Sequence, residues 1–482
     1  MNGGSKMDHK ENLIIGFAPT RRNVFSVEDA LKFKEQILTK IKSFGYNIID
    51  ISDINDEGLI RSDDDVGKVV KKLKSKNVDC IFSPHCNFGT ESAVAKVAKS
   101  MGKPFLLWGP RDEAPLPDGS RLRDTQCGLF ATSKILQRLG VPYTYIINSR
   151  LDSDIFNRGF NNFAIAANVV KNFKNIRIGQ IGVRPGDFWT VICNEGELLE
   201  KFNIEIVPFN LADIVSRIKK IIKNPSSSFK ETFNFVKTNM VVEINDADLK
   251  SIVALKETIK DIAQEQNISA FAIQCWTSLQ DMIGVVPCLA NSLLFDEGIP
   301  VACETDINGA ITAVITQSAG LGKFPVFFAD VTVRHPEDDN SELLWHCGPF
   351  PYSLKKDGEK AYVTNHFILD GNPPGTCSWQ IKGGDISVVR FDGTGGKYFL
   401  FVGHARGTDG PRNKGTYLWI KVNDWDLWEK KLIYGPYIHH VAGIHKKIAP
   451  ILYEAVRYID GLELDPVDPS LKDIEDWLAC KI

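Results

Sequence analysis

The chain has 482 residues, 43% of them hydrophobic and 24% charged, with a formal net charge of −3. That length predicts two or three domains rather than one core, and the charge balance speaks against a nucleic-acid partner, which calls for a basic surplus. Ten scattered cysteines with no C-x-x-C pair argue against a zinc ribbon and against a disulfide-built secreted scaffold.

The opening residues, MNGGSKMDHKENL, are polar and lack the apolar centre of a signal peptide. No apolar run approaches the ~20 residues of a membrane span. A cytoplasmic protein with no membrane partner is the expectation. From Leu13 the chain alternates strand and helix. LIIGFAP reads as a strand, and SVEDALKFKEQILTKIKSFG reads as a helix opened by Ser26 and closed by Gly45. NIIDIS, VDCIFSP, KPFLLWG and PYTYIIN continue the cycle as strands up to about residue 150. Continuous apolar strands alternating with helices predict a parallel sheet covered on both faces, of flavodoxin or Rossmann type.

A second block follows the same pattern, with IRIGQIGVRP, NIEIVPFN, ISAFAIQCW, IPVACET and PVFFADVTV as strands. Beyond Val333 the pattern changes. GDISVVRFDGTGGKYFLFVGHARGTDG places glycine-rich turns between alternating or aromatic strands, which predicts antiparallel sheet or barrel. HKKIAPILYEAVRYI reads as a closing helix. The expected fold class is α/β: two doubly wound parallel-sheet domains, 1–150 and 151–333, then a β-rich, barrel-like domain, 334–482. The basic runs Lys71–Lys76 and Arg217–Asn224 are spaced like solvated helix faces. GLGKF lacks the spacing and hydroxyl residue of a phosphate loop, and GTGGKY joins two strands, so no nucleotide site is expected.

Open α/β sheets bind ligands at the carboxyl ends of their strands. Glu304 follows IPVAC and Asp330 follows PVFFA, and a carboxylate there needs a partner. Each has an ordinary alternative: Glu304 could cap a helix starting near Asn308, and Asp330 could pair with Arg334. Two histidine-bearing segments accompany them, LLWHCG with His346 and YIHHVAG with His439 and His440. Adjacent strand residues face opposite ways, so one functional histidine in the pair is the natural reading. An oxygen-and-imidazole set without thiolate suits Mn²⁺, Mg²⁺ or Co²⁺. Such an ion can polarise a sugar carbonyl while a nearby carboxylate moves a proton, the demands of aldose–ketose isomerisation.

These segments resemble the L-fucose isomerase and L-arabinose isomerase superfamily, metal-dependent aldose–ketose isomerases with two α/β domains and a β-rich C-terminal domain. FFADVTV is similar to the second metal-ligand strand of the fucose isomerases, ACETDINGA to their first ligand segment, and IHHVAG to their His-His strand. The resemblance implies Asp330, Glu304 and His440 as ligands of Mn²⁺, with Co²⁺ and Mg²⁺ as alternatives, and Glu304 and Asp330 as the proton-moving groups. LLWHCG is closer to the arabinose isomerase pattern, which implies His346 as a further ligand or a sugar contact. GFAPTRRNVFS and SPHCNFGTES resemble substrate loops, implying sugar contacts from Arg21, Arg22 and Asn87, joined by Gln274 and by His439. The implied activity is isomerisation of an open-chain monosaccharide through a cis-enediol, in a homo-oligomer with active sites near subunit contacts. One alternative is an anionic substrate, a 6-sulfonated (sulfoquinovose-type) or phosphorylated hexose, held by the paired arginines. Another is a non-catalytic sugar-binding protein of the same fold.

Overall fold

The computed structural model describes residues 12–482, so the polar opening segment lies almost wholly outside the described residues. The chain divides into two compact units. The first comprises residues up to Lys171 together with Pro450–Asp460 and Leu471–Ile482; the second comprises Asn172–Ala449 and Gly461–Ser470.

The first unit is built on a five-stranded parallel sheet in the order Asn47–Asp50, Ile14–Phe17, Cys80–Pro84, Phe105–Trp108, Thr144–Tyr145. This is the flavodoxin-like order, in which the chain reverses its direction of progress between the first and third strands in sequence. The helix expected after Ser26 spans Val27–Lys42. The Ser26 side chain accepts from the Asp29 N–H, and Gly45 adopts φ +81° beyond the other end. All but the first residue of the apolar helix Ala449–Val456 belongs to this unit, where buried Glu454 and Tyr458 both reach the Thr144 hydroxyl, each at 2.7 Å.

The second unit holds two sheets. One is parallel, in the order Val301–Ala302, Ala270–Ile273, Arg177–Ile181, Glu205–Phe209, and repeats the doubly wound arrangement. The other has ten strands, six of which close on themselves: Lys397–Thr408, Gly384–Thr394, His440–Ile444, Val326–Arg334, Ser341–His346 and Thr416–Lys421, the last pairing back to the first. Every pairing around this ring is antiparallel and the last strand pairs with the first, so these six strands form a closed barrel, and the α/β-plus-barrel architecture is established. Gly395 and Gly396, both at positive φ, turn the hairpin between its two longest strands. One strand differs from expectation. Val326–Arg334 runs in the barrel rather than in the parallel sheet, because its pairing partners are the antiparallel His440–Ile444 and Ser341–His346. Periodicity alone cannot make that distinction, since a strand buried on both faces reads as continuously apolar in either setting. Among the described residues, no helix is long and apolar enough to cross a membrane.

Candidate active site

Three segments of the second unit supply the site. Register places Asp330 directly opposite His440 across the barrel ladder. His346 ends the neighbouring strand Ser341–His346. Glu304 comes from the loop between the parallel-sheet strand Val301–Ala302 and the helix Ile307–Ala319. Glu304 and Thr305 both take left-handed backbone conformations, φ +51° and +57°, which side-chain-bearing residues adopt only under constraint and which cluster at functional sites.

Four side-chain atoms converge. His440 Nε2 lies 3.5 Å from Glu304 Oε2 and 3.5 Å from Asp330 Oδ1. His346 Nε2 lies 4.0 and 3.9 Å from the same two oxygens. Glu304 Oε2, Asp330 Oδ1 and His346 Nε2 are buried with no hydrogen-bond partner among the described residues. Leaving such atoms dry and unsatisfied is costly, so the arrangement is built for something these side chains do not themselves provide. Donor atoms bound about 2.0–2.2 Å from one divalent ion stand roughly 3–4 Å from each other, which is the spacing seen here. Glu304 Oε2, Asp330 Oδ1 and His440 Nε2 therefore fit a hard or borderline divalent cation.

The surroundings fix each group's chemistry. Asp306 accepts from His440 Nδ1 at 2.9 Å, which puts the imidazole proton on Nδ1 and leaves the Nε2 lone pair facing the two carboxylates. Asp306 is in turn held by Arg390 through both terminal nitrogens, and Arg390 also binds Asp392. Burial opposes ionisation of Asp306, but Arg390 and His440 outweigh it and hold the carboxyl well below the usual range. His440 is raised for the complementary reason: burial disfavours its cation, yet Asp306, Asp330 and Glu304 more than compensate. Burial pushes Asp330 up to about 7, with Glu304 and Asp306 adding to the rise against the pull of His440. Glu304 is raised as well, chiefly by burial.

His346 behaves differently. Its Nδ1 accepts the backbone N–H of Cys347 at 2.9 Å, so the neutral ring carries its proton on Nε2, pointing into the site. Burial and the neighbouring His440 hold its pKa well below that of a free imidazole. Cys275 occupies the other Glu304 oxygen, its thiol 3.3 Å from Oε1. Burial pushes Cys275 up to about 11, so it serves as a neutral donor rather than a thiolate ligand. His439 is exposed, and one ligand atom each of Asp330, His439 and His440 lies within 4.8 Å of the others.

The ordinary alternatives for the two carboxylates find no support. The cap of helix Ile307–Ala319 is Asp306, which accepts from the Gly309 N–H at 2.8 Å, and the ion-pair partner of Arg334 is Asp426. Gln274 commits its amide to neighbouring loops, accepting from Val183 N–H and donating to Trp276 O and Ser278 Oγ. Arg21, Arg22 and Asn87 belong to the first unit, where the two expected loops meet: Asn87 Oδ1 accepts from the Arg22 N–H. Both arginines there already have carboxylate partners, Glu57 for Arg21 and Glu91 for Arg22. Asp306 and Arg390 were not anticipated from the sequence. The only signal for Asp306 is its position three residues before Gly309, which marks a helix cap and nothing more.

The chain is similar to known sugar isomerases. Residues 16–174 match the family described as fucose/sulfoquinovose isomerase, N-terminal domain. The sulfoquinovose isomerase of Priestia megaterium is 23% identical over 463 residues, covering 93% of this chain and 98% of that protein. The corresponding enzyme of Alkalicoccus urumqiensis is 26% identical over 359 residues, covering 74% of this chain and 79% of the relative. The chain is thus similar to sugar isomerases over most of its length. The matches support a fucose isomerase-like protein.

Proposed function

We propose that the chain is a metal-dependent aldose–ketose isomerase acting on a sulfonated hexose of the sulfoquinovose type. The observation that carries the chemistry is the convergence of Glu304 Oε2, Asp330 Oδ1 and His346 Nε2, buried and unpartnered, about the free lone pair of His440. The substrate class is supported by the relatives, which are sulfoquinovose isomerases. In this reading Glu304, Asp330 and His440 hold the ion, Mn²⁺ first, with Co²⁺ or Mg²⁺ as alternatives. When bound, it would polarise the sugar carbonyl and acidify the adjacent C–H. One carboxylate takes the proton from C2 and returns it at C1, while the other carries the O2 hydroxyl proton to O1, the two flanking a cis-enediol of the open-chain sugar. His346, with its proton on Nε2, donates to a sugar oxygen and so steadies the developing negative charge. The protein is proposed to work in the cytoplasm as a homo-oligomer with sites near subunit contacts.

The test is NMR in D₂O. Metal-stripped protein, with and without added Mn²⁺, is incubated with a 6-sulfonated hexose, a 6-phosphorylated hexose, L-fucose, L-arabinose and D-glucose. Mn²⁺-dependent interconversion with deuterium entering at C1 or C2 is expected for the sulfonated sugar. Glu304→Gln should abolish it while leaving the circular dichroism spectrum intact. Turnover by Glu304→Gln, or interconversion undiminished by chelation, would overturn the assignment.

A further inference from the structure

We infer that Arg184 is the receptor for the anionic end of the substrate, an inference that rests on the sulfonated-sugar reading above. Arg184 lies in the loop leaving the carboxyl end of strand Arg177–Ile181. That strand is flanked by Glu205–Phe209 on one side and Ala270–Ile273 on the other, so the loop opens at the point where the sheet's order reverses. Ligands of open α/β sheets bind in the crevice at this point.

The loop is tied to the candidate site by its own backbone. Gly182 turns the chain at φ +77°, and a Cβ there would stand 2.5 Å from Gln274 Oε1. The next residue, Val183, donates its N–H to that same oxygen at 3.1 Å and accepts from the Thr305 hydroxyl at 3.2 Å. Thr305 directly follows Glu304. On the far side of the loop, Phe188 packs edge-on against Trp276, with ring centroids 5.5 Å apart.

Within this frame the guanidinium is oriented without being neutralised. Arg184 Nη1 donates to three carbonyl oxygens of its own loop, those of Pro185, Gly186 and Phe188, at 3.0–3.2 Å. No carboxylate pairs with Arg184 among the described residues, in contrast to Arg177, Arg217 and Arg390 of the same unit. Carbonyl dipoles fix one nitrogen of a planar fork. Among the described residues, Nε and Nη2 make no hydrogen bond, and together they can meet two oxygens of a sulfonate. Arg21 and Arg22 lack this property, because each already faces a carboxylate. The sugar's two reacting carbons sit at the Glu304 end and its anionic C6 substituent at the Arg184 end.

The experiment is calorimetric titration of the Mn²⁺-loaded protein with a 6-sulfonated hexose and, separately, with sorbitol as a neutral open-chain polyol. Arg184→Gln should weaken sulfonated-hexose binding by about 10–100-fold, the range for a hydrogen bond to a charged group, and leave sorbitol binding within about twofold. Arg184→Lys should recover part of the loss, and the wild-type affinity for the sulfonated sugar should fall with added salt. A change under about threefold in Arg184→Gln, an equal loss for sorbitol, or no binding of the sulfonated hexose by wild type would overturn the inference. Binding that depends on Arg184 without any turnover would uphold the receptor and sink the isomerase reading.

Discussion

At the scale of single residues, the two histidines of the site are set to different tasks by what their Nδ1 atoms touch. His440 gives its Nδ1 proton to Asp306 and keeps a lone pair on Nε2, whereas His346 accepts a backbone N–H and keeps a proton there. Replacing Asp306 with Asn removes the charge that fixes His440, and Mn²⁺ affinity should drop by about 10–100-fold, read by metal titration. The same change leaves buried Arg390 with Asp392 as its one carboxylate, so a lower melting temperature should accompany it. The raised carboxyls make a second prediction. An unfolded aspartate ionises near 3.9, whereas Asp330 in the metal-free protein ionises near 7. Between those values the native state binds more protons than the unfolded one, so this group's contribution to stability is lost as pH rises through about 7. Chelated wild-type protein should therefore show a steeper fall of melting temperature from pH 5 to 7.5 than Asp330→Asn. Mn²⁺ affinity should rise over the same interval, because binding releases the proton. Equal slopes for the two proteins would refute the assignment.

At the scale of elements, the site depends on strand register, and this decides what the sequence reveals. Glu304, Asp330, His346 and His440 stand out because polar groups at the ends of apolar runs are conspicuous on any reading. Asp306 and Arg390 do not, since one resembles an ordinary helix cap and the other an ordinary residue of an alternating strand. They are 84 positions apart and meet only because the barrel brings the Gly384–Thr394 strand beside helix Ile307–Ala319. Arg184 is equally silent in sequence, for what marks it out is that no carboxylate pairs with it among the described residues, in contrast to Arg177 and Arg217. The doubly wound sheets were legible from their alternating strands and helices; the barrel's closure was not, because pairing between Lys397–Thr408 and Thr416–Lys421 is a long-range fact. The ligand strand His440–Ile444 carries its own test. A Cβ on Gly443 would stand 2.1 Å from the ring of Phe327, its partner across the ladder. Gly443→Ala should therefore destabilise the barrel by about 1–3 kcal/mol in denaturant unfolding, as overpacked cores do. A neutral result would mean the Phe327 ring swings aside without penalty.

At the scale of the whole molecule, the chain enters the second unit at Asn172, returns to the first at Pro450, and then revisits each once more. The family match ends at residue 174, close to the first of these crossings, although the first unit also needs residues from the far end of the sequence. Thr144, inside that matched region, finds its buried partners in Glu454 and Tyr458, and Arg158 stacks on Trp477 at 4.5 Å. Ending the chain after Ser470 removes helix Leu471–Leu478 with its buried Ile474. Hydrogen exchange followed by mass spectrometry should then show lost protection in strands Phe105–Trp108 and Thr144–Tyr145, while the six barrel strands exchange as before. Uniform loss across both units would contradict the division.

The same threading bears on how the protein comes off the ribosome. Chains usually complete their domains in the order of synthesis, at about 5–20 residues per second. Here the first flavodoxin-like sheet emerges early and then waits for roughly 280 further residues, about 15–60 seconds at that rate, before Glu454 and Tyr458 exist to cover its last strands. The six-stranded barrel, complete by Ile444, can close first. The nascent first unit thus passes a long interval before its own last segments, Pro450–Asp460 and Leu471–Ile482, are made.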